Sequence, residues 1–128
     1  MKFHKDRTLP SDNETIFVFG SNLAGIHGAG AAKIALNFGA SYDYGVGPYG
    51  HSYAIPTKDH DIRTMSIEHI IPYIDRFKKF THMFSQKQFF VTRIGCGLAG
   101  YKDHQIAPLF KGCADNCSFA NEWRQFLE

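Results

Sequence analysis

Residues 1–14 carry only scattered apolar side chains, and Pro10, Ser11, Asp12 and Asn13 form a turn cluster, so the pattern predicts a lead-in of low order there. The first continuous apolar run is Thr15–Gly20 (TIFVFG), short and rich in β-formers. Such a run predicts a strand covered on both faces, as in a parallel sheet. A loop with Gly25, Gly28 and Gly30 follows, and Ala29–Phe38 (AGAAKIALNF) reads as a helix stopped by Gly39. Residues 39–51 hold four glycines, Pro48 and the rings of Tyr44, Tyr49 and His51, which predicts a long loop of the functional kind. Ser52–Ile55 reads as a second strand, ended by Pro56 and Thr57. Ser66 is placed to cap a helix reaching about Phe84, with Ile67, Ile70, Ile71, Ile74 and Phe77 as its buried stripe. Pro72 inside that stretch predicts a kink or a split. Gln88–Ile94 (QFFVTRI) predicts a further strand, then a second glycine loop at Gly95–Gly100 and a helix from about Asp103 to Cys113 with Pro108 near its first turns. Asn116–Phe119 reads as an edge strand, with Trp123 and Phe126 packing the end of the chain onto the body. Strands alternating with helices predict one α/β domain over residues 15–128, with a mostly parallel sheet and helices on both faces.

Composition narrows the function classes. The 128 residues fit one core, and 44% hydrophobic with 15% aromatic residues argue for a densely packed chain. A formal charge of +2 is too small for duplex nucleic acid as the main partner, and Arg76, Lys78 and Lys79 read as a solvated helix face. The three cysteines, Cys96, Cys113 and Cys117, match neither a disulfide framework nor a zinc site, which predicts a reducing, cytoplasmic setting and buried structural thiols. No apolar run reaches the length of a membrane span and no signal segment is visible, so no membrane partner is expected. The seven histidines show no pairing with an acid on one helix face, and neither a metal nor another cofactor is assigned.

Three segments carry chemistry. The first, Gly20–Ala32, joins a strand to a helix, where free amides and the helix dipole attract anions. Small residues at Gly28, Ala29, Gly30 and Ala31 let a phosphate reach the backbone, and Asn22 stands at the strand end, where open parallel sheets bind ligands. The alternative is a tight connection using glycine for packing. Neither a P-loop nor a dinucleotide fingerprint is present: no Gly-Lys-Ser/Thr occurs, Lys33 replaces a small residue, and Gly45–Gly50 precedes a strand. The second segment is Ile55–His60, past another strand end, where Lys58 reads as a phosphate partner, as a nucleophile, or as an exposed lysine paired with Asp59 or Asp61. The third is Gly95–Gly100, whose amides can converge on a second phosphate. Cys96 within it reads as a structural thiol rather than a nucleophile, and Tyr101 either closes over a sugar or base or packs half-buried.

With these residues in view, a resemblance emerges. Asn22-Leu23-Ala24-Gly25-Ile26-His27-Gly28-Ala29-Gly30 resembles the macro-domain segment in which a strand-end Asn precedes a glycine-rich loop. Thr92-Arg93-Ile94-Gly95-Cys96-Gly97-Leu98 is similar to the second phosphate loop of one macro subgroup, the terminal ADP-ribose protein glycohydrolases and the DNA ADP-ribosyl glycohydrolase antitoxins. Ile55-Pro56-Thr57-Lys58 also resembles that subgroup, and the likeness covers roughly residues 15–112. It implies a compact three-layer sandwich with a mostly parallel, mixed sheet, and ADP-ribose or a related NAD-derived nucleotide as ligand. By the same resemblance Asn22 meets the distal ribose, and Gly28 and Gly30 border the pyrophosphate and ribose, with His27 and Ala29 as further ligand-binding candidates in that loop. Thr57 accompanies the catalytic Lys58, which attacks the anomeric carbon of the distal ribose, and Gly95, Cys96, Gly97 and Leu98 wrap the other side, with Ala99, Gly100 and Tyr101 as further ligand-binding candidates. Ala99 stands where the subgroup carries the acid that assists the lysine, with Asp59, Asp61 and Asp103 as candidate substitutes. No N-terminal residue matches the family's adenine-contacting Asp, and the loop 39–51 offers a stacking ring instead. The expectation is therefore ADP-ribose binding, with hydrolysis of ADP-ribosyl linkages through Lys58 as its catalytic extension. Its rivals are a purely binding module and an interaction scaffold.

Overall fold

A computed structural model describes residues 1–128. Six strands form one sheet: β1 (Lys2–His4), β2 (Ile16–Asn22), β3 (Gly47–Tyr49), β4 (Ser52–Lys58), β5 (Phe89–Val91) and β6 (Cys117–Ala120). Their order is β1-β6-β5-β2-β4-β3, with every neighbouring pair parallel except β3 and β4. The expected mostly parallel α/β architecture is what the chain adopts.

Alternation along the strands divides the core in two. Phe17 and Phe19 of β2, with Ala54 and Phe90, face helix α1 (Gly30–Ala35) through its Ala32 and Ala35. On the other face Ile16, Val18, Tyr53, Ile55, Phe89 and Val91 meet helix α2 (Ile67–Met83) and the shorter α3 (Asp103–Ile106). Ile70, Ile74 and Phe77 of α2 have no exposed surface, while Ile67 and Ile71 of the expected stripe are only half-buried. Ser66 caps α2 by accepting from the His69 amide. The helix runs on through Pro72 without the expected split, because the carbonyl its ring leaves without a partner belongs to exposed Glu68 and can be hydrated.

Several boundaries differ from the sequence reading. Helix α1 ends at Ala35 and passes into a 3₁₀ turn at Leu36–Phe38, and α3 gives way at Ala107–Phe110 to a 3₁₀ turn containing Pro108. Residues 2–4, read as part of a low-order lead-in, form β1 alongside β6. The strand near the C-terminus is consequently not at an edge: β6 lies between β1 and β5. Strand β4 continues through Pro56 and Thr57 instead of ending there. Trp123 is fully buried, and α4 (Arg124–Leu127) closes the chain. No helix is long and apolar enough to cross a membrane.

Candidate functional site

Because β2, β4 and β5 are parallel, the segments that follow them emerge on one edge of the sheet. Between these segments lies a cleft of about 660 Å³, within the range of about 300–1,000 Å³ typical of small-ligand sites. This is the edge where open α/β sheets take ligands.

Pro56 shapes the way Lys58 enters the cleft. A proline within a strand breaks the hydrogen-bond ladder and is accommodated at bulges. Here Ser21 pairs with Pro56 but Asn22 pairs with Lys58, leaving Thr57 as the extra residue. Thr57 turns inward, with its hydroxyl 3.4 Å from the Ser21 carbonyl, and Lys58 lines the cleft half-buried. The ion pairs of the chain involve only Lys78, Arg93 and Arg124, so the Lys58 ammonium has no carboxylate partner.

Asn22 organises the first loop. Its amide donates to the Ile26 carbonyl at 2.7 Å and its oxygen accepts the Ile26 N–H at 2.9 Å. The loop beyond exposes Gly28, Ala29 and Gly30, whose N–H groups bond to nothing within the chain. Helix α1 has only six residues and no side-chain cap. Its dipole is correspondingly short, and these open amides rather than the macrodipole are the anion-attracting feature. Across the cleft, the N–H groups of Gly97, Leu98 and Ala99 are likewise unpaired, while Cys96 and Gly100 close turns onto Arg93 and Gly97. A Cβ on Gly30 would sit 3.4 Å from the Leu98 side chain, so the two loops approach each other over the cleft.

Of the residues singled out from the sequence, Asn22, Gly28, Ala29, Gly30, Thr57, Lys58 and Gly95–Ala99 line this one cleft. Three do not. His27 is fully buried, with Nε2 hydrogen-bonded to the Ser41 carbonyl at 2.8 Å and its ring edge-on to Phe19. Tyr101 donates its hydroxyl to the Met65 carbonyl, which is its packing alternative, and Gly100 lies outside the wall. The loop 39–51 contributes no ring either: Tyr44 and Tyr49 stack on each other at 4.4 Å, and neither reaches the cleft.

Two of the three candidate acids, Asp59 and Asp103, are committed elsewhere. Asp59 accepts the Asp61 and Arg63 amides, which hold its carboxyl below the usual carboxylate value, the Arg63 amide foremost. Asp103 is bound by Arg93 and Trp123, and none of Asp59, Asp61 or Asp103 lines the cleft. Cys96 is no activated nucleophile: burial pushes its thiol up to about 12, with Asp103 adding to the effect.

The N-terminal segment is what the sequence reading missed. His4, Asp6, Arg7, Thr8 and Leu9 complete the wall beyond β5. The His4 ring stacks on Phe90 at 3.7 Å and bonds Ser118 at 2.7 Å, and burial lowers its pKa. Asp6 is the only acid in the wall, and it pairs with Arg93 at 3.0 Å. Arg93 joins Asp6 to Asp103, and its guanidinium pKa is raised chiefly by the Asp103 bond. No group of three His, Cys, Asp or Glu side chains is placed to hold a metal ion.

Fold and site together define an α/β domain with an open cleft at the carboxyl edge of its sheet, flanked by two loops with free amides. Comparison with family models, curated proteins and solved structures finds no match to the chain.

Proposed function

We propose that the chain binds ADP-ribose or a closely related NAD-derived nucleotide in this cleft, as a macro-like module. The observation that carries the reading is a pair of facing loops with unpaired amides, Gly28–Gly30 and Gly97–Ala99, beside an ammonium at Lys58 that no carboxylate neutralises. Amides and a half-buried cation at Lys58 suit a diphosphate, which needs donors on more than one side. The His4–Phe90 stack at the far wall suits the ring of a base. The resemblance of the same loops to the macro subgroup supports the same ligand.

Hydrolysis through Lys58 is the second reading, favoured by the absence of an ion-pair partner for its amine. Binding without turnover is the better supported of the two, because Asp59 and Asp103 are tied into their own networks and Ala99 supplies no acid.

Calorimetric titration with ADP-ribose tests the proposal, with ADP as control. Micromolar binding is expected, abolished by Gly28→Glu and weakened about tenfold by Lys58→Ala through the lost charge-assisted contact. A Cβ at Gly28 has open space around it, its closest neighbour being the end of Ile26 at 3.9 Å, so the Glu variant should fold. Unchanged affinity in that variant removes the first loop from the site. Release of free ADP-ribose from a modified substrate by wild type but not by Lys58→Ala would establish the hydrolytic reading.

A further inference from the structure

Residues 5–15 run from β1 to β2, and Asp6, Arg7, Thr8 and Leu9 among them line the far wall of the cleft. The strands hold this strap at its ends: β1 pairs with β6, the His4 ring stacks on Phe90, and Ile16 begins β2. Between those ends its hydrogen bonds are local. They run from the Arg7 amide to Asp6, from the Thr8 hydroxyl to the Lys5 carbonyl, and from the Glu14 and Thr15 amides to Asp12. Neither Leu9 nor Pro10 packs against either core cluster, and Leu9 is 54% exposed. One polar contact alone ties the strap to the body, the ion pair of Asp6 with Arg93 Nη1 at 3.0 Å.

Arg93 is fixed to hold an anion at that point. Asp103 takes its Nε at 2.9 Å and its Nη2 at 2.6 Å, which sets the plane of the guanidinium. Nη1 is left for Asp6, with the Glu122 carboxylate 4.0 Å away. Arg93 also lines the cleft, and its carbonyl accepts the Cys96 amide in the turn that opens the second glycine loop. The guanidinium and the unpaired amides of Gly97, Leu98 and Ala99 therefore belong to one wall. To an N–H donor, a carboxylate oxygen and a phosphate oxygen are the same kind of acceptor. The Arg93 and Asp6 side chains are 30% and 25% exposed, so the pair is a weak one. Such a pair biases an equilibrium by no more than about fivefold, and an anion that also meets the loop amides can displace it.

We infer that residues 5–15 are a self-inhibiting strap, latched across the cleft by the Asp6 carboxylate on Arg93 Nη1, and that an anionic ligand opens it by replacing that carboxylate. Asp6 is the only acid in a wall that otherwise offers donors, and it occupies Arg93 as a phosphate oxygen would. The latch is a property of the chain alone. Its opening by a diphosphate rests on the nucleotide reading of the cleft and adds Arg93 to the groups that meet the ligand.

Trypsin cleavage after Arg7 reports the strap, because the protease needs that segment drawn away from the body. The initial rate, read by mass spectrometry, is taken relative to a synthetic peptide of residues 1–15 with the same sequence, which removes any direct effect of residue 6 on the protease. Without ligand, Asp6→Asn should be cut about fivefold faster than wild type. Saturating inorganic pyrophosphate or ADP-ribose should accelerate cleavage of wild type by a similar factor and change Asp6→Asn little. In calorimetry Asp6→Asn should bind both ligands about fivefold more tightly. Removing a charge from the wall raises anion affinity by itself, so tighter binding without faster cleavage overturns the latch. Equal ligand-free cleavage of the two proteins overturns it too. Protection of wild type by ligand overturns the opening, since the strap then closes over its occupant. Pyrophosphate binding without ADP-ribose binding overturns the nucleotide reading alone. If neither ligand binds either protein, that reading and the ligand-driven opening both fall, and ligand-free cleavage still decides the latch.

Discussion

Asp103→Ala is the substitution with the most informative cost. The carboxylate accepts Arg93 Nε at 2.9 Å, Arg93 Nη2 at 2.6 Å and Trp123 Nε1 at 2.7 Å. The Arg93 and Asp103 side chains are 30% and 23% exposed, so solvent already screens the bidentate pair. We take it at about 1 kcal/mol, the upper end for surface pairs. Trp123 is fully buried, and an indole N–H left without an acceptor costs about 2 kcal/mol more. A total near 3 kcal/mol, set against an unfolding entropy of about 2.1 cal/mol/K per residue, lowers the melting temperature by about 10 °C. The pH dependence gives an independent check. Burial works to raise the Asp103 carboxyl, but the bonds from Arg93 and Trp123 outweigh it and hold it below its ordinary 3.8. A depressed folded-state value means that this stabilisation is present above the unfolded value and is lost as pH falls through the folded one. Differential scanning calorimetry of wild type and variant at pH 7 and at stepwise lower pH therefore measures a gap that narrows below about pH 4. A shift under about 3 °C at pH 7, or a gap constant down to pH 2, refutes the ledger.

Gly45→Ala should unfold the chain or cost more than about 4 kcal/mol in urea denaturation, because its Cβ would lie 2.0 Å from the Asn22 carbonyl oxygen, a backbone atom that cannot give way; a variant of near wild-type stability would show that the first loop and the loop 39–51 do not pack as described. Cys96 in the folded protein should react with iodoacetamide at pH 8 at least about a hundredfold more slowly than in urea, since its thiol is pushed up to about 12; rapid labelling of the folded chain, located by peptide mass, would restore the thiol as a candidate nucleophile.

The parts of the fold legible in the sequence are those with local signals. The apolar runs of β2, β4 and β5 and the stripe Ile70, Ile74 and Phe77 of α2 each declare themselves within a few residues. Once the strands are parallel, the loops after them must share an edge, which is why the sequence alone groups two glycine loops with Lys58. Strand β1 had no such signal. It has one apolar residue among three, and its partners lie at the far end of the chain, as in the His4–Ser118 bond. Missing it placed β6 at an edge and left the His4–Leu9 wall of the cleft unseen. His27 fails for another reason: a histidine in a polar glycine loop reads as a ligand contact, yet Phe19 and the Ser41 carbonyl draw the ring inward.

The glycines themselves separate what the fold requires from what the cleft requires. At Gly25 a Cβ would meet the Asp43 backbone at 2.4 Å, and at Gly45 it would meet the Asn22 carbonyl at 2.0 Å, so these two serve the close approach of loops. Gly28 and Gly97 are different. Neither needs a positive φ, and a Cβ at Gly97 meets nothing within 4 Å. The packing of this chain would accept side chains at both positions, and glycine in a loop carries an unfolded-state entropy cost of about 0.4–1 kcal/mol relative to alanine. What their bareness provides is room: Gly28 and Gly97 lie in opposite walls of the same cleft, beside amides that bond to nothing within the chain. An occupant that brings its oxygen atoms against both loops accounts for both glycines, and internal packing accounts for neither.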